Sequence, residues 1–336
     1  MIKIYTYISI ILLIPIIYLN HLIYKSFDYQ KYIISEYNAN SYREETTALF
    51  NNLNLDYPNL TITALPMKTL VAKYYFFAGQ FDKAFQLIKE GEKDNPYVAL
   101  GSSLRAEIYD YLKVYDSLKF YSKKAYEYMP NNALHFLQYT KALAIEKNVD
   151  EMIRIYNENL KYNNSKFAQA FLTGILSNQI QITDTIKSIA IKERKRFITD
   201  ENVRLAADYI LYGKENIDES ISYSEQAAEL FNKGNYTRAL SYFKIASEKN
   251  PADYSNFENT GMLLINEKNT QKGINVLKKV IDSMERPLIN RGKSEYLIGL
   301  GYLQFEKKDS ACYYLNLSKN YNYKDSFRVH AANCYN

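Results

Sequence analysis

From residue 67 onward apolar residues return at intervals of three and four, the spacing that lines one face of an α-helix. The pattern is sharpest at 220–254, SISYSEQAAELFNKGNYTRALSYFKIASEKNPADY. Ala227 and Leu230 mark one helix, Gly234 and Asn235 break it, and Tyr236, Ala239, Phe243 and Ala246 mark a second before Pro251. Two antiparallel helices on so short a turn approach closely only if small residues lie at the crossing and large ones fill the space beside it. The same order of small, large and breaker positions returns at Ala72, Tyr75, Gly79, Phe81, Ala84, Ile88 and Pro96, then at Ala106, Tyr109, Tyr115, Leu118 and Ala125. Pro96 and Pro130 lie 34 residues apart, which sets the period. A further copy from Ala133 carries Phe136, Tyr139, Leu143, Val149, Met152 and Tyr156, with Thr140 and Asn159 at the places of small residues. After 254 come Phe257, Gly261, Leu264, Gly273, Leu277 and Val280, then Gly299, Tyr302, Ala311 and Leu315, and FRVHAANCY predicts a closing helix.

Elsewhere the pattern changes. Residues 166–213 keep a helical period but lose the markers, and the polar GKENIDES at 213–220 is expected to be a hinge. Residues 4–24 carry no charged side chain other than His21, and as a helix they would span roughly 31 Å, the thickness of a bilayer core. No small-x-small cleavage site follows, which argues for an uncleaved anchor over a secretory leader. Lys3 on one side and Lys25, Lys31 and Arg43 on the other give no decisive charge bias; the very short leading tail favours an outward-facing body. Residues 25–56 predict a helix that lifts the repeats off the membrane, and DYPNLTITALP an extended connector. The expected organisation is an all-α helical-hairpin solenoid in two arrays preceded by one transmembrane helix. Its parts are an anchor at 1–25, a juxtamembrane helix and connector at 26–66, a first array at 67–212 that degenerates after about 160, and a second at 220–336.

Composition narrows the chemistry. Lys+Arg 42 against Asp+Glu 37 gives a formal charge of +5, too mild and dispersed for a nucleic-acid partner. The 34 tyrosines suit wide helix interfaces, where a large body needs a tip that reaches water. GxxxxGK[ST], HExxH, CxxC and GxSxG are absent, and the three histidines are His21, His135 and His330. No catalysis, metal, cofactor or small-molecule substrate is expected. KERKR at 192–196 reads as a solvated helix face.

With these positions in place, the region 67–334 resembles the tetratricopeptide repeat, although Tyr223 stands where the family often has tryptophan. The resemblance implies protein or peptide partners, held in a concave groove lined from the first helix of each repeat. By that analogy the groove exposes Lys73, Phe77, Glu107, Tyr111 and Lys141. The family's chaperone-tail clamp needs basic and amide side chains where Thr69, Ser103 and Leu104 stand, so such a ligand is not expected. Cys312 and Cys334 lie on elements that should pack together, so they are either a disulfide or two small core residues. KKDSACYYLNLSKNYNY with the later NCY is similar to C-terminal repeats of secreted or envelope proteins of Bacteroidetes-type bacteria, which implies the disulfide. The expectation is a scaffold in envelope assembly at a bacterial inner membrane, with its repeats in the periplasm. Two alternatives stand beside it: an accessory to envelope polysaccharide synthesis, from a likeness of TITALP through MPNNALHF to repeat tails of O-antigen ligase-like proteins, and a tethered regulator facing the cytoplasm.

Overall fold

A computed structural model describes residues 2–50 and 53–334, with side chains described from residue 11 onward. Among the described residues the regular structure is helical, apart from an isolated bridge between Leu60 and Pro66. The chain divides into two compact units, Met1–Gly174 and Ile175–Asn336.

The first unit opens with α1 (Ile2–Ala39) and the short α2 (Glu44–Leu49). Three antiparallel hairpins follow: α3 (Met67–Phe77) with α4 (Phe81–Asp94), α5 (Leu100–Tyr111) with α6 (Tyr115–Tyr128), and α7 (Ala133–Ile145) with α8 (Val149–Asn159). The next helix, α9 (Ser165–Ser177), lays Phe167 edge-on to Phe136 and stacks Phe171 on Tyr156. Small residues stand at the crossings as the pattern requires: Ala72, Ala84, Ala106 and Ala125 are fully buried. Each turn from first to second helix needs one residue with positive φ. Gly79 supplies it at +72°, and 34 and 68 residues on Lys113 (59°) and Lys147 (56°) take the same conformation.

The second unit pairs α10 (Asp184–Arg196) with α11 (Glu201–Tyr212), α12 (Lys214–Asn232) with α13 (Tyr236–Lys249), α14 (Tyr254–Asn266) with α15 (Thr270–Ser283), and α16 (Lys293–Gln304) with α17 (Lys308–Asn320). Then α18 (Lys324–Cys334) packs on α17. Here closeness comes from glycine. A Cβ on Gly261 would stand 2.5 Å from Leu277 Cγ, and one on Gly299 would stand 2.7 Å from Leu315 Cγ. The molecule is thus an all-α array of helical hairpins of tetratricopeptide type.

Three expectations change. No break separates an anchor from a juxtamembrane helix: α1 is one helix of 38 residues. Among the described residues no helix is long and apolar enough to cross a membrane; the stretch expected to span, 4–24, begins with residues 4–10, whose side chains lie outside the described residues. Nor is the second half of α1 a spacer. Ile33 is buried with Met67, Leu70 and Val71 in the core of the first hairpin. Finally, most of the expected hinge is helix. Only Gly213, at φ +86°, stands outside α12, whose first turns bury Ile217 and let Ser220 donate to the Ala246 carbonyl. The polar run concealed two inward-facing positions.

Candidate protein-binding groove

The five residues expected to line the groove fall in register, because positions 34 apart occupy the same place on successive first helices. Lys73, Glu107 and Lys141 form one row and Phe77 and Tyr111 another. The structure brings them together, although not as a continuous open surface. Lys73 is only 7% exposed, against the expectation of an open lysine. Its Nζ sits 3.2 Å from a Glu107 carboxylate oxygen and lies over the rings of Tyr37 and Tyr42. Phe77 is half covered, stacked on Tyr42 with centroids 4.4 Å apart. At this end the chain's own N-terminal segment fills the groove.

A network holds that segment in place. Thr46 Oγ1 donates to Glu36 Oε1 at 2.8 Å, and Arg43 donates to the same oxygen at 2.5 Å. Burial alone would raise the Glu36 carboxyl, but these bonds hold it below the ordinary glutamate range. Burial and the nearby Glu107 charge push the Tyr37 hydroxyl up to about 12, so it stays neutral and serves as a cover for the lysine. Little in the sequence signals this cover. Tyr37 and Tyr42 sit in a tyrosine-rich polar stretch whose inward face is set by α3.

Further along, the groove opens. Tyr111 is 65% exposed, edge-on to Phe76. Lys141 is solvated and pairs with Asp110 across adjacent first helices at 2.5 Å. One turn before Lys141, Leu137 and then Leu134 stand exposed on the same stripe of α7. With Ala133, they face Gln169, Ala170 and Thr173 of α9 across a trough of about 290 Å³, with Lys166 also lining it. Leu137 was legible in principle, since it precedes Lys141 by four residues. Ser103, its counterpart one repeat earlier, is buried and exchanges hydrogen bonds with Gln138. Thr69 and Leu104 are buried too.

The second unit holds other polar features. The basic run is not uniformly solvated. Arg194 is buried, donates to Asp208 at 2.6 Å and to the Ala252 carbonyl at 2.8 Å, and Glu193 is fully enclosed. Beside that pair lies a cavity of about 350 Å³, bordered by Arg204, Ser224 and Asp253 among others. Burial raises the Asp253 carboxyl, against the hydrogen bond it accepts from the Ser255 amide. Cys312 and Cys334 are joined, with Cα atoms 5.6 Å apart, across α17 and α18. Among the described residues no group of three or more histidine, cysteine, aspartate or glutamate side chains could hold a metal ion.

No protein-family model matches the chain, and neither does any curated protein. Solved structures with a similar arrangement include a tetratricopeptide repeat protein from Parabacteroides merdae, at 13% identity and TM-score 0.35, covering 77% of this chain and 94% of that one. Another is the P58(IPK) TPR domain, at 11% identity and TM-score 0.34, covering 79% and 96%. A third is YrrB, described as a TPR protein with an unusual peptide-binding site, at 15% identity and TM-score 0.29, covering 73% and 97%. At this distance the likeness goes no further than helical repeats, and the site must be read from its own side chains.

Proposed function

We propose that this chain is a membrane-attached scaffold that captures an extended segment of a protein partner along the first-helix face of its first unit. The observation that carries the reading is the trough between α7 and α9, where Leu134 and Leu137 stand in water on the stripe that one repeat earlier is covered at Ser103 and ion-paired at Glu107. Two exposed leucines beside Ala170 offer an apolar side chain a place to be buried, at roughly 25 cal/mol for each Å² removed from water. The trough is preformed on helices, so little ordering cost is added on binding.

Attachment rests on α1. Ile11, Leu12, Leu13 and Ile14 are consecutive and all exposed, so the helix is apolar around its whole circumference. A partner groove covers one face of such a helix, whereas lipid covers every face. With residues 4–10 added, the stretch reaches membrane length. We place it in a bacterial inner membrane with the repeats in the periplasm, serving envelope assembly.

A photo-crosslinking residue at position 137 in the full chain tests the binding site in cells. The reading expects a discrete protein adduct that Leu134→Glu abolishes while the repeats stay folded. An adduct unaffected by Leu134→Glu, or none beyond that obtained with the crosslinker at exposed Tyr128, would overturn it. External protease cleaving the repeats in intact spheroplasts supports the topology, and protection reverses it.

A further inference from the structure

We infer that the first unit touches the membrane surface through a second site, the turn edge carrying Ile62 and Tyr97; this rests on the reading of α1 as the membrane anchor. α1 joins the anchor to the repeats without a break. Its exposed apolar part and its buried part belong to one unbroken helix, so the repeats have no flexible tether and are held at a fixed height. The body begins to cover α1 immediately after Lys25: Ser26 and Gln30 are buried, and Ile33 is in the core.

The direction of α3 then decides which edge faces the lipid. Gln30 Oε1 accepts from the Ile62 amide at 3.3 Å, Lys73 lies over Tyr37, and Phe77 stacks on Tyr42. Increasing numbers on the 62–77 segment thus match increasing numbers on 30–42, and α3 runs away from the anchor. Turns leading into first helices therefore lie on the anchor side, and the turns at Gly79 and Lys113 lie on the far side. From Lys25 to Gln30 is five residues, roughly 7.5 Å along the axis. A bilayer's interfacial layer is roughly 5–7.5 Å deep on each side. The 61–65 turn sits at that depth.

Its side chains suit the place. Ile62 is 75% exposed at the turn. The next turn of the same edge is tied to it, because Asn95 Nδ2 donates to the Ala64 carbonyl at 2.8 Å, and there Tyr97 is 80% exposed. Tyr24, Phe27 and Tyr32 add exposed rings to the emerging helix. An aliphatic side chain and amphipathic rings at one level form an interfacial belt. On this edge the Asp56 carboxylate is paired with Lys68 at 2.6 Å, and Asp94 accepts from Asn59 with its other oxygen enclosed, away from the surface.

The absence of tryptophan makes the test free of background. Four single-tryptophan variants of the full chain, Ile17→Trp, Ile62→Trp, Tyr97→Trp and Val114→Trp, are reconstituted into phosphatidylethanolamine and phosphatidylglycerol vesicles whose acyl chains carry bromine near the headgroup. The Ile17→Trp variant reads the anchor alone and should be quenched. Ile62→Trp and Tyr97→Trp should be quenched relative to bromine-free vesicles and blue-shifted relative to Val114→Trp, and Val114→Trp, 44% exposed on the opposite edge, should be unquenched. If Ile17→Trp is quenched while Ile62→Trp and Tyr97→Trp match Val114→Trp, the anchor reading survives and the second contact is overturned. An unquenched Ile17→Trp overturns both.

Discussion

The two units reach close helix packing by different means. In the first, alanine stands at the crossings and rings fill the space between helices: Tyr109 stacks on Tyr121, Tyr126 meets Tyr139, and Phe136 meets Phe167. Its ion pairs each leave a partner open to water, from solvated Lys141 with Asp110 to buried Lys73 with a partly exposed Glu107. In the second, glycines on both helices of one hairpin, Gly261 and Gly273, bring backbones together, a device the first unit uses singly at Gly91 against Thr69, and charges are enclosed. Arg194 with Asp208 and Arg286 with Glu295 are each nearly removed from solvent. The ends differ as well, with α1 and α2 covering the start of one unit and a disulfide fastening α18 to α17 in the other. A ring can tilt to absorb an error, whereas a backbone contact or an enclosed charge cannot. The second unit should therefore be far more sensitive to small changes.

The largest effect is expected at Arg286. Its guanidinium bonds both oxygens of Glu295, at 2.9 and 3.2 Å, and Glu295 also accepts from the Gly292 amide. Arg286→Met leaves that carboxylate enclosed and unpaired, costing about 3–5 kcal/mol. Thermal unfolding of the full chain should show a large loss, and adding Glu295→Gln should recover most of it, since the glutamine oxygen keeps the Gly292 bond without the charge. Lys141→Met, the corresponding change at a solvated pair of the first unit, should cost within about 1 kcal/mol. Equal losses at the two sites would break the comparison.

Glycine gives the next test. A Cβ on Gly273 would lie 2.7 Å from the Gly261 carbonyl oxygen and 3.1 Å from the Ile265 amide nitrogen, both backbone atoms that move only with their helix. Gly273→Ala should cost about 1–3 kcal/mol in spite of the helix propensity it adds. In the first unit, a Cβ on Gly174 would meet the tip of Met152 at 3.3 Å and a Thr140 methyl at 3.4 Å. A methionine end yields readily, so Gly174→Ala should be neutral or gain up to about 1 kcal/mol. A loss at Gly174 as large as at Gly273 would show that the first unit has no more slack than the second.

The sequence made the hairpins legible because small residues, breakers and the proline recur at a fixed 34, and Ala72, Ala106 and Ala227 are enclosed where that spacing put them. Where polar residues turned inward, the pattern misled. Arg194 in the basic run finds Asp208 fourteen residues on and the Ala252 carbonyl 58 residues on, partners that no local period reveals. Lys73 had the right register for the groove, but its cover comes from Tyr37 and Tyr42, whose inward orientation depends on a helix not yet placed when those residues are read. The groove's polar face was legible as a row; which part of the row is open was not. Nothing sets Leu134 and Leu137 apart from the other apolar residues of α7 in the sequence, and only α9 shows that they border a trough.

The smallest expected effect concerns the turn that both units share. Each unit has one hairpin with glycine at the positive-φ position, Gly79 or Gly234, and two that place Lys113 and Lys147, or Lys268 and Glu306, in the same conformation. A side chain there costs about 1–2 kcal/mol through contact between Cβ and the following carbonyl. Glycine removes that cost but gives the unfolded chain more freedom, an opposing change of about 0.4–1 kcal/mol. The difference favours glycine by about 0.5–1 kcal/mol, so Lys147→Gly should raise the unfolding midpoint slightly. Gly234→Lys should lower it by a similar or greater amount. The turns of the two units have one backbone geometry, so Lys113→Gly and Lys268→Gly should match each other even though their surroundings differ in rings, glycines and enclosed charge. Should Lys268→Gly gain nothing while Lys113→Gly gains, the strain at the turn would belong to its unit and not to the repeat.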